Sequence, residues 1–231
     1  MKDFPKFPRT KHLPYKPNCT RDDLIATENE VRCLFESDNV FYEEKVDGAN
    51  VGIYWENESP MIRNRNHILN KAYMKDTTAK RQFRPLWNWT YVHYENFQEL
   101  RKLIQEDVVI YGEWLYATHS LHYTSLPDYF IAFDLYLPNS KIFLNTNETR
   151  KFLQECKFYV PNLLFQGKIS SYKEIDEILY KKSSYSDDIQ EGIYVKICDN
   201  EKVVSRLKIV RENFICGEHW SNSKLIKNEL S

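Results

Sequence analysis

Seven short runs of aromatic and β-branched residues constrain this chain most. They lie at 41–46, 51–55, 61–65, 108–116, 129–137, 189–198 and 202–210. Each has the length and composition of a strand, and the helical patterns between them fall too irregularly for βαβ alternation. The expectation is an α+β fold with mostly antiparallel sheets and flanking helices. Helical spacing marks Leu24, Val31, Leu34 and Phe35, with Thr20 and Asp23 as the expected N-cap and Ser37-Asp38-Asn39 as the stop. It recurs through Phe97, Leu100, Leu103 and Ile104, and over Thr149–Phe158 and Tyr172–Lys181. Asp199-Asn200 predicts a hairpin turn between the last two runs. Pro5, Pro8, Pro14 and Pro17 make residues 1–19 an extended arm, and residues 66–90 read as a long loop with helical turns.

Strands buried in a core should be apolar, so a charge inside one needs a partner or a task. Glu113, Asp134, Glu191, Lys196, Arg206 and Lys208 all break that rule. Arg206 and Lys208 are two apart and would project from one face of their strand. Taken singly, each strand also fits an edge position with one solvated side.

The first two runs flank Lys45-Val46-Asp47-Gly48. Asp-Gly is a strong turn signal, which predicts a hairpin with Lys45 at its mouth. A lysine amine has an unperturbed pKa near 10.4, so a nucleophilic role requires desolvation or nearby cations. The plainer reading is a solvated lysine beside a turn.

The chain has 231 residues, 42% of them hydrophobic and 15% aromatic, enough for one domain with a real core. A net charge of −1 excludes a global basic field, so nucleic-acid binding would need local clusters. Residues 1–21 carry Lys2, Lys6, Arg9, Lys11, Lys16 and Arg21 against Asp3, and residues 63–84 carry Arg63, Arg65, Lys71, Lys75, Lys80, Arg81 and Arg84 against Asp76. Tyr73, Phe83, Trp87 and Trp89 accompany the second cluster, as stacking contacts to nucleic acid would. Five scattered cysteines without a C-x-x-C pair argue against a disulfide framework or a zinc site. The start lacks the apolar core of a signal peptide, and no stretch reaches membrane-span length, so an intracellular protein without a membrane partner is expected.

Taken in order, Lys45-Val46-Asp47-Gly48, Tyr111-Gly112-Glu113-Trp114, Phe133-Asp134, Glu191–Lys196 and Arg206-Leu207-Lys208 resemble motifs I, III, IIIa, IV and V of the covalent lysyl-nucleotidyltransferases. The resemblance is closest to the ATP-dependent RNA ligases, in particular their nick-sealing branch, and runs from about residue 6 to residue 220. It implies a nucleotidyltransferase domain of the ATP-grasp-like ligase adenylation type over residues 1–231. With about twenty residues after motif V, the expectation is a chain without an OB or helical C-terminal domain.

By that resemblance Lys45 is the adenylated nucleophile, and Lys196, Arg206 and Lys208 complete the catalytic set. Glu44 would border adenine, Asn50 would engage the 5′-phosphate end, and Arg65, with Arg63 as fallback, would contact nucleotide and phosphate. Glu113 would bind ribose, Phe133 would stack on adenine, and Glu191 would help hold Mg²⁺ or Mn²⁺. Motif V departs from the usual Lys-x-Lys because Arg206 takes the first position, and arginine is not a neutral replacement for lysine. The implied cofactors are ATP as AMP donor and a divalent metal. The implied partner is RNA with 5′-phosphate and 3′-hydroxyl ends, including a nicked duplex, met by a monomer with or without an accessory protein. Rival readings are a DNA ligase, a GTP-using capping guanylyltransferase and a noncatalytic module that binds nucleic-acid ends. His119 and His122, three apart, are a weak metal pair, and His219-Trp220 reads as packing.

Overall fold

The computed structural model describes residues 4–15, 23–70, 78–214 and 225–231. Lys2, Lys16, Thr20, Arg21, Lys71, Tyr73, Lys75 and His219-Trp220, all singled out above, lie outside them. Among the described residues seventeen elements follow one another: β1 Lys11–His12, α1 Glu28–Glu36, β2 Val40–Lys45, β3 Ala49–Glu56, β4 Ser59–Asn64, β5 Ile68–Leu69, α2 Thr78–Arg81, α3 Arg84–Val92, α4 Tyr94–Ile104, β6 Val109–Trp114, β7 Phe130–Leu137, β8 Ile142–Phe143, α5 Thr146–Glu155, β9 Leu163–Gln166, α6 Tyr172–Leu179, β10 Gly192–Cys198 and β11 Val203–Val210. Among the described residues no helix is long and apolar enough to cross a membrane.

The chain divides into two compact units. One comprises Met1–Phe7, Asp47–Val160 and Cys216–Ser231, and the other Pro8–Val46 and Pro161–Ile215. The first contains an antiparallel sheet in the order β5-β4-β3-β6-β7-β8. Alternation gives it two faces. Val51, Ile53 and Trp55 of β3 and Ile110 and Trp114 of β6 enter a core with Leu86 and Trp89 of α3, Phe97 and Leu100 of α4 and Leu153 of α5. The opposite face carries Tyr54, Tyr111 and Phe133, over which Phe4 and Phe7 of the arm pack. The Tyr111 hydroxyl donates to the Pro5 carbonyl, and the buried Arg63 guanidinium donates to that of Phe4, so the arm is hydrogen-bonded down.

The second unit contains a sheet in the order β1-β11-β10-β2-β9, antiparallel except where β1 runs parallel to β11. Val40, Tyr42, Ile193, Val195, Ile197, Leu207 and Ile209 face Leu34 of α1 and Ile175, Ile178 and Leu179 of α6. Residues of opposite parity carry the charges. Helix α1 begins with a capping box in which Thr27 and Glu30 satisfy each other's backbone N–H groups.

The α+β antiparallel expectation holds, and four local readings are overturned. Asp47-Gly48 does not close a hairpin, since β2 pairs with β10 and β9 whereas β3 pairs with β4 and β6. The cap of α1 is Thr27, seven residues beyond Thr20, and Asp23 serves an ion pair instead. Within 66–90 the chain forms β5, α2 and the nine-residue α3, which has Pro85 in its first turn. The described aromatics there, Phe83, Trp87 and Trp89, are not a stacking platform: Phe83 and Trp89 are buried in the core and Trp87 packs against it. An indole N–H bonded to Asp128 at 2.7 Å lets Trp89 be buried without leaving a donor unmet.

Candidate active site

In the second unit, strand register assembles the charges on the face opposite α1 and α6. Lys45, the last residue of β2, stands across from Gly192, and Gly192 from Val210. The next row on that face is Glu43, Tyr194 and Lys208, and the one after it Phe41, Lys196 and Arg206. Neighbouring strands are about 4.8 Å apart, so the three strands β2, β10 and β11 present their polar groups within a few residues' reach of one another. Gly192 is required because a Cβ there would run into the Ile209 carbonyl oxygen.

Two ion pairs order this face. Nζ of Lys45 donates to Oε1 of Glu191 at 2.6 Å, with the glutamate side chain 6% exposed. Nζ of Lys196 lies 2.9 Å from Oε2 of Glu43, and both side chains are fully buried. A third group joins β1 to β11. Nζ of Lys208 lies 3.1 Å from Oδ1 of Asp23, and Nε2 of His12 is 3.4 Å from the same oxygen. Burial, then the Lys208 charge, lower the His12 pKa to about 4, so the ring is neutral at pH 7.

Glu44 points the other way. Its carboxylate is buried where it accepts from the Ser183 hydroxyl at 2.6 Å and from the Ser184 N–H, and burial raises its pKa. Strand alternation is the reason, since Glu44 has the parity of Tyr42. The Glu44 carboxylate and the Lys45 amine thus lie on opposite faces of β2.

In the first unit, Asn50 of β3 and Glu113 of β6 are direct cross-strand partners on the face that also carries Tyr111. Phe133 is the extra residue where β7 bulges against Tyr111 and Gly112, and its ring meets that of Phe7 edge-on at 5.3 Å. Arg65 is exposed just beyond β4, while the fallback Arg63 is spent on anchoring the arm. Asp47 accepts from the N–H groups of Ser120 at 2.6 Å and Leu121 at 3.3 Å, and its own N–H donates to the Tyr123 hydroxyl. A Cβ on Gly48 would lie 2.7 Å from the Trp114 carbonyl oxygen, so the glycine permits close passage rather than a reverse turn.

Glu43 and Tyr123, and Asp23 as an ion-pair partner rather than a cap, were not anticipated from the sequence. Glu43 was discoverable as a charge inside an apolar strand, the same signal that flagged Glu113. Asp23 carries no such signal, because it sits in an irregular segment 185 residues from its partner.

Among the described residues no cluster of three or more His, Cys, Asp or Glu could hold a metal ion. His119 instead contacts Gln82, and His122 contacts Glu229. The Glu191 carboxylate is a hard oxygen donor of the kind that magnesium and manganese accept.

The RNA ligase family model matches residues 38–210, three-quarters of the chain, and the chain belongs to that family. Solved structures of RNA ligases share the fold. Naegleria gruberi RNA ligase with pyrophosphate aligns at a TM-score of 0.60 and 16% identity, covering 90% of this chain and 61% of that one. A lysine-to-alanine variant of the same enzyme with ATP and manganese aligns at 0.55 and 13%, covering 78% and 52%. An archaeal ATP-dependent RNA ligase aligns at 0.54 and 18%, covering 90% and 48%. The chain thus spans between about half and three-fifths of these ligases. Among curated protein sequences, none matches the chain.

Proposed function

We infer that this protein is an ATP-dependent RNA ligase in which Lys45 is the nucleophile. The observation that carries the reading is the Lys45–Glu191 pair on a sheet face that also presents Lys196, Arg206 and Lys208, in a chain matched by the RNA ligase family model.

In the first step the Lys45 ammonium gives up a proton to solvent water and its Nζ lone pair attacks the α-phosphorus of ATP. A nitrogen–phosphorus bond forms, the α–β anhydride bond breaks, and pyrophosphate leaves with the electron pair. Charge developing on the phosphate oxygens is balanced by Arg206 and Lys208, which is where a preorganised site gains most over water. A divalent cation at Glu191 would supply Lewis-acid assistance to the same oxygens. Lys45 would then lose the carboxylate that now balances its ammonium charge. Asn50 and Glu113, paired across β3 and β6, offer amide and carboxylate contacts to a 5′-phosphate end and a ribose, and Phe133 offers a ring to adenine.

AMP next passes from Lys45 to the 5′-phosphate of RNA, and a 3′-hydroxyl displaces it to make the phosphodiester. RNA binding is assigned to the exposed Arg65, Arg81 and Arg84. The test is a sealing assay on matched nicked duplexes carrying 5′-phosphate and 3′-hydroxyl ends. Sealing of RNA nicks well above all-DNA nicks supports the reading, and the reverse preference moves it to a DNA ligase.

A further inference from the structure

Residues 225–231 run beside the loop that follows β6 and are hydrogen-bonded to it along their length. The Thr118 N–H donates to the Ile226 carbonyl at 2.8 Å, and the Asn228 N–H to that of Tyr116 at 3.2 Å. The Glu229 N–H donates to the Tyr123 carbonyl at 2.9 Å and the Leu126 N–H to that of Glu229 at 3.0 Å. The Lys227 ammonium lies over the rings of Tyr116 and Tyr129 at 5.4 and 5.1 Å.

Asn228 sits at the centre, 1% exposed. Its Nδ2 donates to the carbonyls of Leu115 at 2.8 Å and Ala117 at 3.3 Å. Its Oδ1 accepts from the Thr118 hydroxyl at 2.8 Å and the Tyr123 N–H at 3.0 Å. A primary amide has two donor hydrogens and two acceptor lone pairs, so the side chain is saturated by this one loop. No other amino acid of that length can make both pairs of bonds.

The same loop holds Asp47 through Ser120, Leu121 and Tyr123. Tyr123 belongs to both networks, its N–H on Asn228 and its hydroxyl on the Asp47 N–H. The path from Asn228 to the backbone of the nucleophile motif is therefore one residue long.

We propose that Asn228 is a positioning residue for adenylyl transfer: segment 225–231 clasps the loop 115–126, and the loop fixes Asp47, two residues along the chain from Lys45. The inference rests on the ligase reading given above. Ordering an irregular loop costs backbone entropy at every residue, and the loop contains no named strand or helix to meet that cost. The hydrogen bonds of Asn228 and its neighbours offset part of it, beside the burial of Leu115, Ala117, Leu121, Tyr123 and Leu126. Displacement of a reacting group by about 1 Å lowers a rate on the order of 100-fold, so loosening the clasp acts on chemistry.

Single-turnover formation of the protein–AMP adduct separates positioning from mere folding, because amplitude counts competent molecules and the rate constant reports geometry. Asn228→Ala is expected to lower the rate constant at least tenfold with amplitude retained. Hydrogen exchange should show protection lost at the Ser120 and Leu121 amides but kept at residues 193–197. Thr118→Val, which removes one bond of the four, should give an intermediate rate and serves if Asn228→Ala does not fold. Reduced amplitude at an unchanged rate constant, or full protection of Ser120 and Leu121 in the variant, overturns the proposal. If the wild-type protein forms no adduct, the ligase reading fails, and the exchange measurement still decides whether the clasp holds the Asp47 loop.

Discussion

Nζ of Lys45 lies 2.6 Å from Oε1 of Glu191, so the proposed nucleophile and the proposed metal ligand are each other's counter-ion. Adenylyl transfer requires them to part, because the amine must be neutral to attack. Glu191→Gln keeps the shape and removes the charge. It should cut the rate of adduct formation on the order of 100-fold, the usual cost of deleting one preorganised polar group, and weaken the dependence on divalent metal. A variant with wild-type magnesium dependence would remove Glu191 from the metal's coordination.

Lys196 and Glu43 form a fully buried pair at 2.9 Å. Breaking such a pair from one side leaves an uncompensated charge and costs about 3–5 kcal/mol. Lys196→Met should therefore unfold at markedly lower urea, and adding Glu43→Gln should recover much of the loss. Strictly additive effects in the double variant would contradict a coupled pair.

His12 faces Asp23 and Lys208, with Lys45 also acting on its charge. Its pKa is lowered in the folded protein to about 4, against 6.5 for an ordinary histidine. Below pH 6.5 the unfolded chain therefore binds the proton more readily, and stability falls as pH drops from 6.5 towards 4. The full loss is roughly 3 kcal/mol by linkage. Urea midpoints across this range should decline less steeply in His12→Gln. Parallel slopes in the two proteins would show that His12 is not the source.

Trp89 is core, whereas Arg81 and Arg84 are exposed. Trp89→Ala should cost about 3–5 kcal/mol of stability and leave RNA affinity unchanged where the variant is folded. Arg81→Ala with Arg84→Ala should leave stability within about 0.5 kcal/mol, weaken RNA binding and flatten its salt dependence. Unchanged binding of the double arginine variant across a salt series would remove this patch from the RNA site.

Strand identity was legible because β-branched and aromatic runs have a period and a length, and the charges inside those runs led to Glu113, Glu191, Lys196 and Lys208. Partner choice was not legible. Asp47-Gly48 carries the local signature of a hairpin, yet the chain uses the aspartate to cap a loop and the glycine to pass Trp114, while β2 pairs with β10 and β9 far along the chain and β3 with β4 and β6. Likewise the basic, aromatic 63–89 stretch looks like a nucleic-acid surface until helix α3 sorts Trp89 inward and Arg84 outward. Glu44 and Lys45 are adjacent in sequence and opposite in direction, a fact that parity alone supplied. Asn228 lies in a segment with no periodic signal, and only its four bonds reveal it.

The most direct measurement is covalent labelling. Protein stripped of bound nucleotide is mixed with magnesium and α-labelled ATP, or separately GTP, and the denatured polypeptide is examined for label. The account predicts label from ATP and none from GTP, lost in Lys45→Ala. Label from GTP would indicate a guanylyltransferase, and label retained in Lys45→Ala, or absent from the wild-type protein, would contradict Lys45 as the nucleophile of an ATP-dependent ligase.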